Sequence, residues 1–227
     1  MDQPRIALIH ATPVAIDPIR EAFASAWPQA HITNLLDDSL SSDLAAEGRL
    51  SEQMIARFVT LARYCAGTGA NAILFTCSAF GVAIEAARAA VPIPVLKPNE
   101  AMFDEALAAG DRIGLLATFA PSVPALKTEL EQMARERRLK IRISTLTVPS
   151  ALKALHAGQP EVHDRIIAEA AEEIGDCDAL ILGQFSMASA AAAIADRPGR
   201  RVLTSPTSAV MQLRRVLTEK VAEHAAG

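Results

Sequence analysis

The sequence repeats itself once, and three separate segments share one offset. RIALIHATP around Ile6 returns as RIGLLATFAP around Ile113, AILFTCS from Ala72 returns as ALILGQF from Ala179, and PVLKP around Val95 returns as RVLTSP around Val202. In each pair the sequence numbers differ by the same amount, so the halves are in register. A repeat this long is no solenoid and suits duplication of a domain. The first half carries four strand-like runs, 5–10, 31–36, 72–76 and 94–96, separated by helical stretches near 18–27, 51–68 and 79–90. Alternating strands and helices with near-continuous apolar strands imply a parallel sheet covered by helices. The expected fold is therefore α/β, built as two similar halves. Each holds a parallel four-stranded sheet, and a pseudo-twofold axis relates them. The boundaries expected are residues 1–98 for the first half, 99–111 for a linking helix, 112–205 for the second half, and 206–227 for a C-terminal helix that packs on the first.

Right-handed crossovers bring the loops that follow the strands to the carboxyl edge of each sheet, where open α/β sheets bind ligands. Halves facing each other would bring equivalent loops to one cleft. The loops paired by the repeat are Ala11-Thr12-Pro13 with Thr118-Phe119-Ala120, Cys77-Ser78-Ala79 with Gln184-Phe185-Ser186, and 97–100 with 204–207. Composition narrows what such a site serves. With 22 Lys plus Arg against 26 Asp plus Glu and 4% aromatic residues, the chain has neither the basic footprint nor the stacking surface of a nucleic-acid binder. At 51% apolar residues it is not disordered. No apolar run reaches the ~18 residues of a membrane span, and MDQPRIALIH lacks the order of a signal peptide, so a cytoplasmic protein is expected. A chain this rich in alanine and leucine is also expected to form a homodimer or a higher homo-oligomer.

Three cysteines, Cys65, Cys77 and Cys177, fit neither a disulfide framework nor a CxxC zinc site. Cys77 ends an apolar strand and precedes SAFGVAIEAARAA, so its thiol should lie by a helix N-terminus, where the dipole and free N–H groups favour a thiolate. Cys177 aligns with Ala70, at the opposite edge, and Cys65 falls within a helix; both read as packing residues. The hydroxyls Thr12, Ser78, Thr118, Ser186, Thr207 and Ser208 read singly as N-caps. Together with backbone N–H groups they would hold a carboxylate without a metal. His10, His31, His156, His163 and His224 form no metal-ligand set, and neither GxGxxG nor GxxxxGK[ST] occurs, so neither a metal nor a cofactor is expected. His10 reads as a satisfied core histidine that could also approach the cleft, Asp37-Asp38 as turn and capping residues, and Ala188–Ala195 as a helix of small residues.

Two duplicated halves, FTCSA at one strand end, LGQFS at its counterpart and NLLDDSLS after the second strand together resemble the aspartate/glutamate/hydantoin racemase superfamily, over essentially the whole chain. The resemblance implies a cofactor-independent enzyme in which two cysteines face each other, one removing the α-proton of a carboxylate substrate and the other reprotonating the opposite face. The first maps onto Cys77, with Ser78 and Ala79 in the substrate loop. The second maps onto Gln184, followed by Phe185 and Ser186. A glutamine amide neither donates nor accepts a proton near neutral pH, so a two-thiol mechanism does not operate. Cys77 remains as the acid/base, with Thr12, Ser78, Ser186 and the Gln184 amide N–H groups as donors to the enediolate. Lys97, Glu100 and His10 are candidates for a second base. The alternatives are decarboxylation of a malonate, as in the single-cysteine arylmalonate decarboxylases, cis/trans isomerisation of a maleate, and carboxylate binding without catalysis.

Overall fold

In the computed structural model, residues 3–194 and 198–225 are described, with side chains in the last helix to Glu219. The chain runs β1 (Arg5–His10), α1 (Ile16–Ala26), β2 (His31–Leu36), α2 (Ser39–Glu47), α3 (Glu52–Gly67), β3 (Ala72–Phe75), α4 (Gly81–Ala89) and β4 (Val95–Leu96). It continues with α5 (Glu100–Ala109), β5 (Arg112–Ala117), α6 (Val123–Glu136), β6 (Arg142–Thr147), α7 (Pro149–His156), α8 (Pro160–Glu173), β7 (Ala179–Leu182), β8 (Arg201–Thr204) and α9 (Ser205–Ala225). Two compact units result. One reaches to Pro98 and includes the C-terminal stretch from Ala209; the other spans Asn99–Ser208. Helix α5 belongs to the second unit, and Arg214 of α9 donates to the carbonyl of Ala26 in the first.

Each unit holds a four-stranded parallel sheet, in the orders β2-β1-β3-β4 and β6-β5-β7-β8. Past the arginines that open β1 and β5 the central strands are buried and, His10 apart, apolar, whereas the edge strands β2 and β6 are half exposed and carry polar residues such as Asn34 and Ser144. That is what a sheet covered on both faces demands of its middle and tolerates at its edge.

The repeat is reproduced down to single hydrogen bonds. Ile6 pairs with Ala72 and Ile113 with Ala179; Ile73 pairs with Val95 and Leu180 with Val202. Asn71 Oδ1 accepts from the Arg5 N–H at 2.7 Å, and Asp178 Oδ2, at the equivalent place, accepts from the Arg112 N–H at 2.9 Å. Only the second strand departs. β2 begins at His31, but its partner β6 begins at Arg142, one helical turn later than the common offset would place it. The extra turn fits the intervening helix, since α6 has 14 residues where α1 has 11.

Core volume is exchanged between equivalent positions. A Cβ on Gly114 would lie 2.8 Å from Ile174 Cγ2 and 3.2 Å from Cys177 Sγ. The first unit has Ala7 at the position of Gly114, with Ala70 in place of Cys177 and Gly67 in place of Ile174. The second unit thus fills with a thiol and a branched side chain what the first fills with a methyl group on the strand. Cys65 and Cys177 are both buried in the core.

Two local expectations are sharpened. The segment read as turn and loop after β2 forms helix α2, and Asp38 precedes it without a side-chain cap. Asp37 is the turn residue expected, its carbonyl accepting from the Leu40 N–H at 3.3 Å, and it is an ion-pair residue as well: Arg57 of α3 contacts Asp37 at 2.6 Å and Asp43 of α2 at 2.5 Å, tying the two helices together. The alanine-rich stretch is helical as expected, in the 3-10 form over Phe185–Ala193, and Ala195 lies outside the described residues. Runs of 3-10 helix beyond three or four residues are uncommon. Here Phe185, Met187 and Ala190 are buried, and Ser189 donates to Asp164 Oδ1 of α8 at 2.8 Å. No described helix is long and apolar enough to cross a membrane.

Candidate functional site

In the first unit the sequence folds so that β3 ends at Phe75 and Cys77 follows in extended conformation. A 3-10 turn, Ser78–Phe80, then precedes α4. Phe80 is fully buried against Phe58, 4.8 Å between ring centres, and Phe58 stacks on Phe75 at 5.1 Å. This aromatic cluster fixes the turn, leaving Cys77, Ser78 and Ala79 half-buried at its outer side. Burial pushes the Cys77 thiol up, and the backbone N–H of Ala79, which bonds to the sulfur, offsets this only in part. The expected thiolate is therefore corrected. The helix proper begins at Gly81, beyond the turn, and desolvation outweighs the nearby N–H groups. Burial thus favours the neutral thiol of Cys77 over the thiolate.

His10 ends β1 with its ring fully buried. Its Nε2 lies 2.9 Å from Asn34 Oδ1 and its Nδ1 2.8 Å from Thr76 Oγ1. Since the Asn34 oxygen can only accept, Nε2 carries the proton and Nδ1 accepts from the threonine hydroxyl. Burial lowers the pKa of the ring, the Asn34 bond acting against it. His10 is thus a core histidine that joins the ends of three strands, and both of its nitrogens are engaged; it is not a second base. Lys97 is paired with Glu85 at 2.6 Å. Glu100 opens α5 in the second unit and has a partner of its own.

Thr12 precedes the 3-10 turn Pro13–Ala15 and makes no side-chain cap, so the N-cap reading does not hold there. The hydroxyls of Thr12 and Ser78 have no hydrogen-bond partner among the described residues, and both are half-buried. Ser41 of α2, which no sequence motif marks, donates to the carbonyl of Ala11 at 2.8 Å and so holds the loop that carries Thr12.

In the second unit Gln184 occupies the position of Cys77. Its Oε1 accepts from the Thr118 N–H at 2.8 Å and from the Thr118 hydroxyl at 3.3 Å, and its Nε2 donates to Ser122 Oγ at 2.7 Å. Ser122 in turn donates to the carbonyl of Phe119 at 2.8 Å. Thr118 and Ser122 are buried, Phe185 is packed into the core, and Ser186 is half-buried with no hydrogen-bond partner among the described residues. The sequence reading has Gln184 offering both amide N–H groups. One is committed to Ser122, which leaves one. Ser122 is missed by that reading because it lies beyond the strand end and its loop. The repeat does mark it: the first unit has Ala11 and Ala15, neither with a hydroxyl, where the second has Thr118 and Ser122.

Among the described residues no group of three His, Cys, Asp or Glu side chains could hold a metal ion. The chemistry on offer is one titrating thiol, two uncommitted hydroxyls in its own unit, and an amide and a hydroxyl in the other.

The family model described as Asp/Glu/Hydantoin racemase matches residues 10–213. No curated protein matches the chain by sequence. Among solved structures, a glutamate racemase from Bacillus anthracis superposes with a TM-score of 0.68 at 15% identity, covering 97% of this chain and 84% of that one. An aspartate racemase homologue from Pyrococcus horikoshii gives 0.68 at 17% identity, covering 96% of this chain and 100% of that one. Unliganded arylmalonate decarboxylase gives 0.59 at 18% identity, covering 94% and 92%. At these identities the structures establish a shared fold.

Proposed function

The chain belongs to the Asp/Glu/hydantoin racemase family, and from that premise we propose that it is a cofactor-independent enzyme with Cys77 as its acid/base. The reaction is proton transfer at the carbon next to a carboxylate or carbonyl of a small amino acid, hydantoin or related acid. The observation that carries this reading is the contrast at equivalent strand ends: Cys77 titrates and is held only by one N–H, whereas Gln184 does not titrate and is fixed on both sides of its amide. Charge developing on the enediolate is met by the hydroxyls of Thr12 and Ser78, donors that need no reorganisation during reaction. Ala79 supplies the N–H that moderates the thiol. Thr118 orients Gln184, and Phe185 anchors the segment that follows it.

With one proton carrier, the enzyme acts on one face of the reacting carbon. The raised thiol favours a second reading within this chemistry. A malonate-type substrate loses carbon dioxide, and Cys77 then protonates the resulting enediolate, as arylmalonate decarboxylase activity would require. A reducing, cytoplasmic setting keeps Cys77 in the thiol form that either reading needs. Tyr64, Val82 and Met211, all exposed on the first unit, support self-association into a homo-oligomer.

The test is solvent-deuterium exchange and carbon dioxide release over a panel of amino acids, hydantoins and malonates. Cys77→Ala is expected to lower the rate about 100- to 10,000-fold, the usual worth of a positioned acid/base, while Gln184→Ala stays within about tenfold of wild type. Wild-type rates in Cys77→Ala would sink the proposal.

A further inference from the structure

The loops after β1 and β5 are pinned by serines that come from different places. In the second unit Ser122, just before α6, donates to the carbonyl of Phe119. The first unit has Ala15 at the position of Ser122, so its loop holds no such donor. Its pin arrives from a separate helix: Ser41 of α2 donates to the carbonyl of Ala11 at 2.8 Å. The second unit does not repeat this. There the Val148 N–H bonds to the carbonyl of Ala117 as the Asp37 N–H bonds to that of His10, which makes Leu152 the counterpart of Ser41, and leucine has no hydroxyl.

The Ala11 carbonyl shares one rigid peptide plane with the Thr12 N–H, and in the trans form the two point in opposite directions. Pro13 confines Thr12 on its other side to extended backbone, with φ −158° and ψ 141°. Ser41 thus fixes the peptide plane and Pro13 the dihedrals, so the Thr12 N–H faces away from Ser41 and the side chain leaves the loop in one direction. Helix α2 in turn needs support. Its nine residues are too few for a helix to persist alone, its N-cap makes no side-chain bond, and among its residues only Leu40 is buried. The guanidinium of Arg57 supplies what is missing. It donates to Asp37 at 2.6 Å, to Ser39 at 2.6 Å and to Asp43 at 2.5 Å, residues before the helix, at its start and one turn further on. Arg57 itself stands on a firm base, between the buried Met54 and Phe58 of α3.

Taking Thr12 as the donor proposed above, we infer that Arg57 is a positioning residue: acting through α2 and Ser41, it fixes the Thr12 peptide in the loop after β1. Every residue in this chain of contacts belongs to the first unit. Amide hydrogen exchange tests the physical coupling. The N–H groups of Ala15 and Ile16 bond back to the carbonyls of Thr12 and Pro13 and so report the loop. Arg57→Ala should speed their exchange about five- to tenfold, as the loss of one hydrogen bond would, and leave β3 unchanged. Ser41→Ala should do the same, and Arg57→Ala should add nothing once Ser41 is replaced. In the solvent-deuterium assay Arg57→Ala should lower kcat about tenfold with KM nearly unchanged, because the donor matters most as charge develops. Arg57→Lys, whose ammonium cannot fork to both carboxylates, should recover part of that loss. In a Thr12→Val background Arg57→Ala should cost nothing more. Unchanged loop exchange or an unchanged rate in Arg57→Ala, or losses that simply add in either pair, would each overturn the inference and leave Cys77-dependent turnover standing. Loop protection that depends on Arg57 in a protein without Cys77-dependent turnover would count against the proposed function alone.

Discussion

In the loops after β1 and β3 the first unit leaves the hydroxyls of Thr12 and Ser78 uncommitted, whereas the second engages Thr118, Ser122 and Gln184 with one another. Thr12 and Ser78 have no hydrogen-bond partner among the described residues, and Cys77 has one N–H; Thr118 and Ser122 are buried and committed to Gln184. The backbone register is the same in both. Duplication has thus kept the scaffold while varying the strand-end side chains, and under the proposed function reactivity lies in one half and fixed polarity in the other. A group that is half-buried with one weak partner can be removed with little loss to the fold, and in the proposed function its removal costs the reaction most. An amide bonded at both ends to buried partners behaves the other way round.

Stability should follow that division. Gln184→Ala leaves the Thr118 N–H buried without its partner and takes from the Ser122 oxygen the bond it accepts, at a cost of about 2–3 kcal/mol, whereas Cys77→Ala should cost less than about 1 kcal/mol. Urea unfolding of both variants checks this, and equal losses would show that the two positions are held alike.

The exchange of core volume between the units predicts a lesser effect. Gly114→Ala should destabilise by about 1–2 kcal/mol, because its methyl group meets Ile174 and Cys177. Adding Cys177→Ala, which recreates the Ala7 and Ala70 pair of the first unit, should recover part of the loss in the same unfolding experiment. Two losses that simply add would mean that the sites are not coupled.

The weakest effect concerns His10, which has no titrating counterpart in the second unit because Ala117 stands at its place. Its folded-state pKa lies below the ordinary 6.5, so between those two values the unfolded chain binds the extra proton. Its contribution to stability is therefore fully present above about pH 6.5 and is lost as the pH falls from there toward the folded-state value. Unfolding midpoints measured from pH 8 to pH 5 should fall less steeply in His10→Gln than in wild type, and identical slopes would contradict the burial argument.

Six of the eight strands are legible in the repeat alone, because buried parallel strands must be apolar throughout and the duplicated copies therefore keep the same run of residue types. The same offset identifies Cys77 and Gln184 as equivalents. Helix α2 is hidden because its segment SLSSDLAAE is polar and reads as a loop; it is held by Arg57 bridging Asp37 and Asp43 and by burial of Leu40, contacts made with residues distant in sequence. The state of Cys77 escapes a sequence reading because the apolar run after it suggests an adjoining helix terminus, while a 3-10 turn anchored by Phe80 stands between. The part played by Ser122 depends on where the Gln184 side chain points, which no spacing supplies.

If Cys77 alone protonates the reacting carbon and Gln184 delivers no proton, turnover in deuterium oxide will show it once the product is resolved into its enantiomers. Label in a single enantiomer, lost in Cys77→Ala and kept in Gln184→Ala, is the predicted result. Equal label in both enantiomers from the wild-type protein would contradict it.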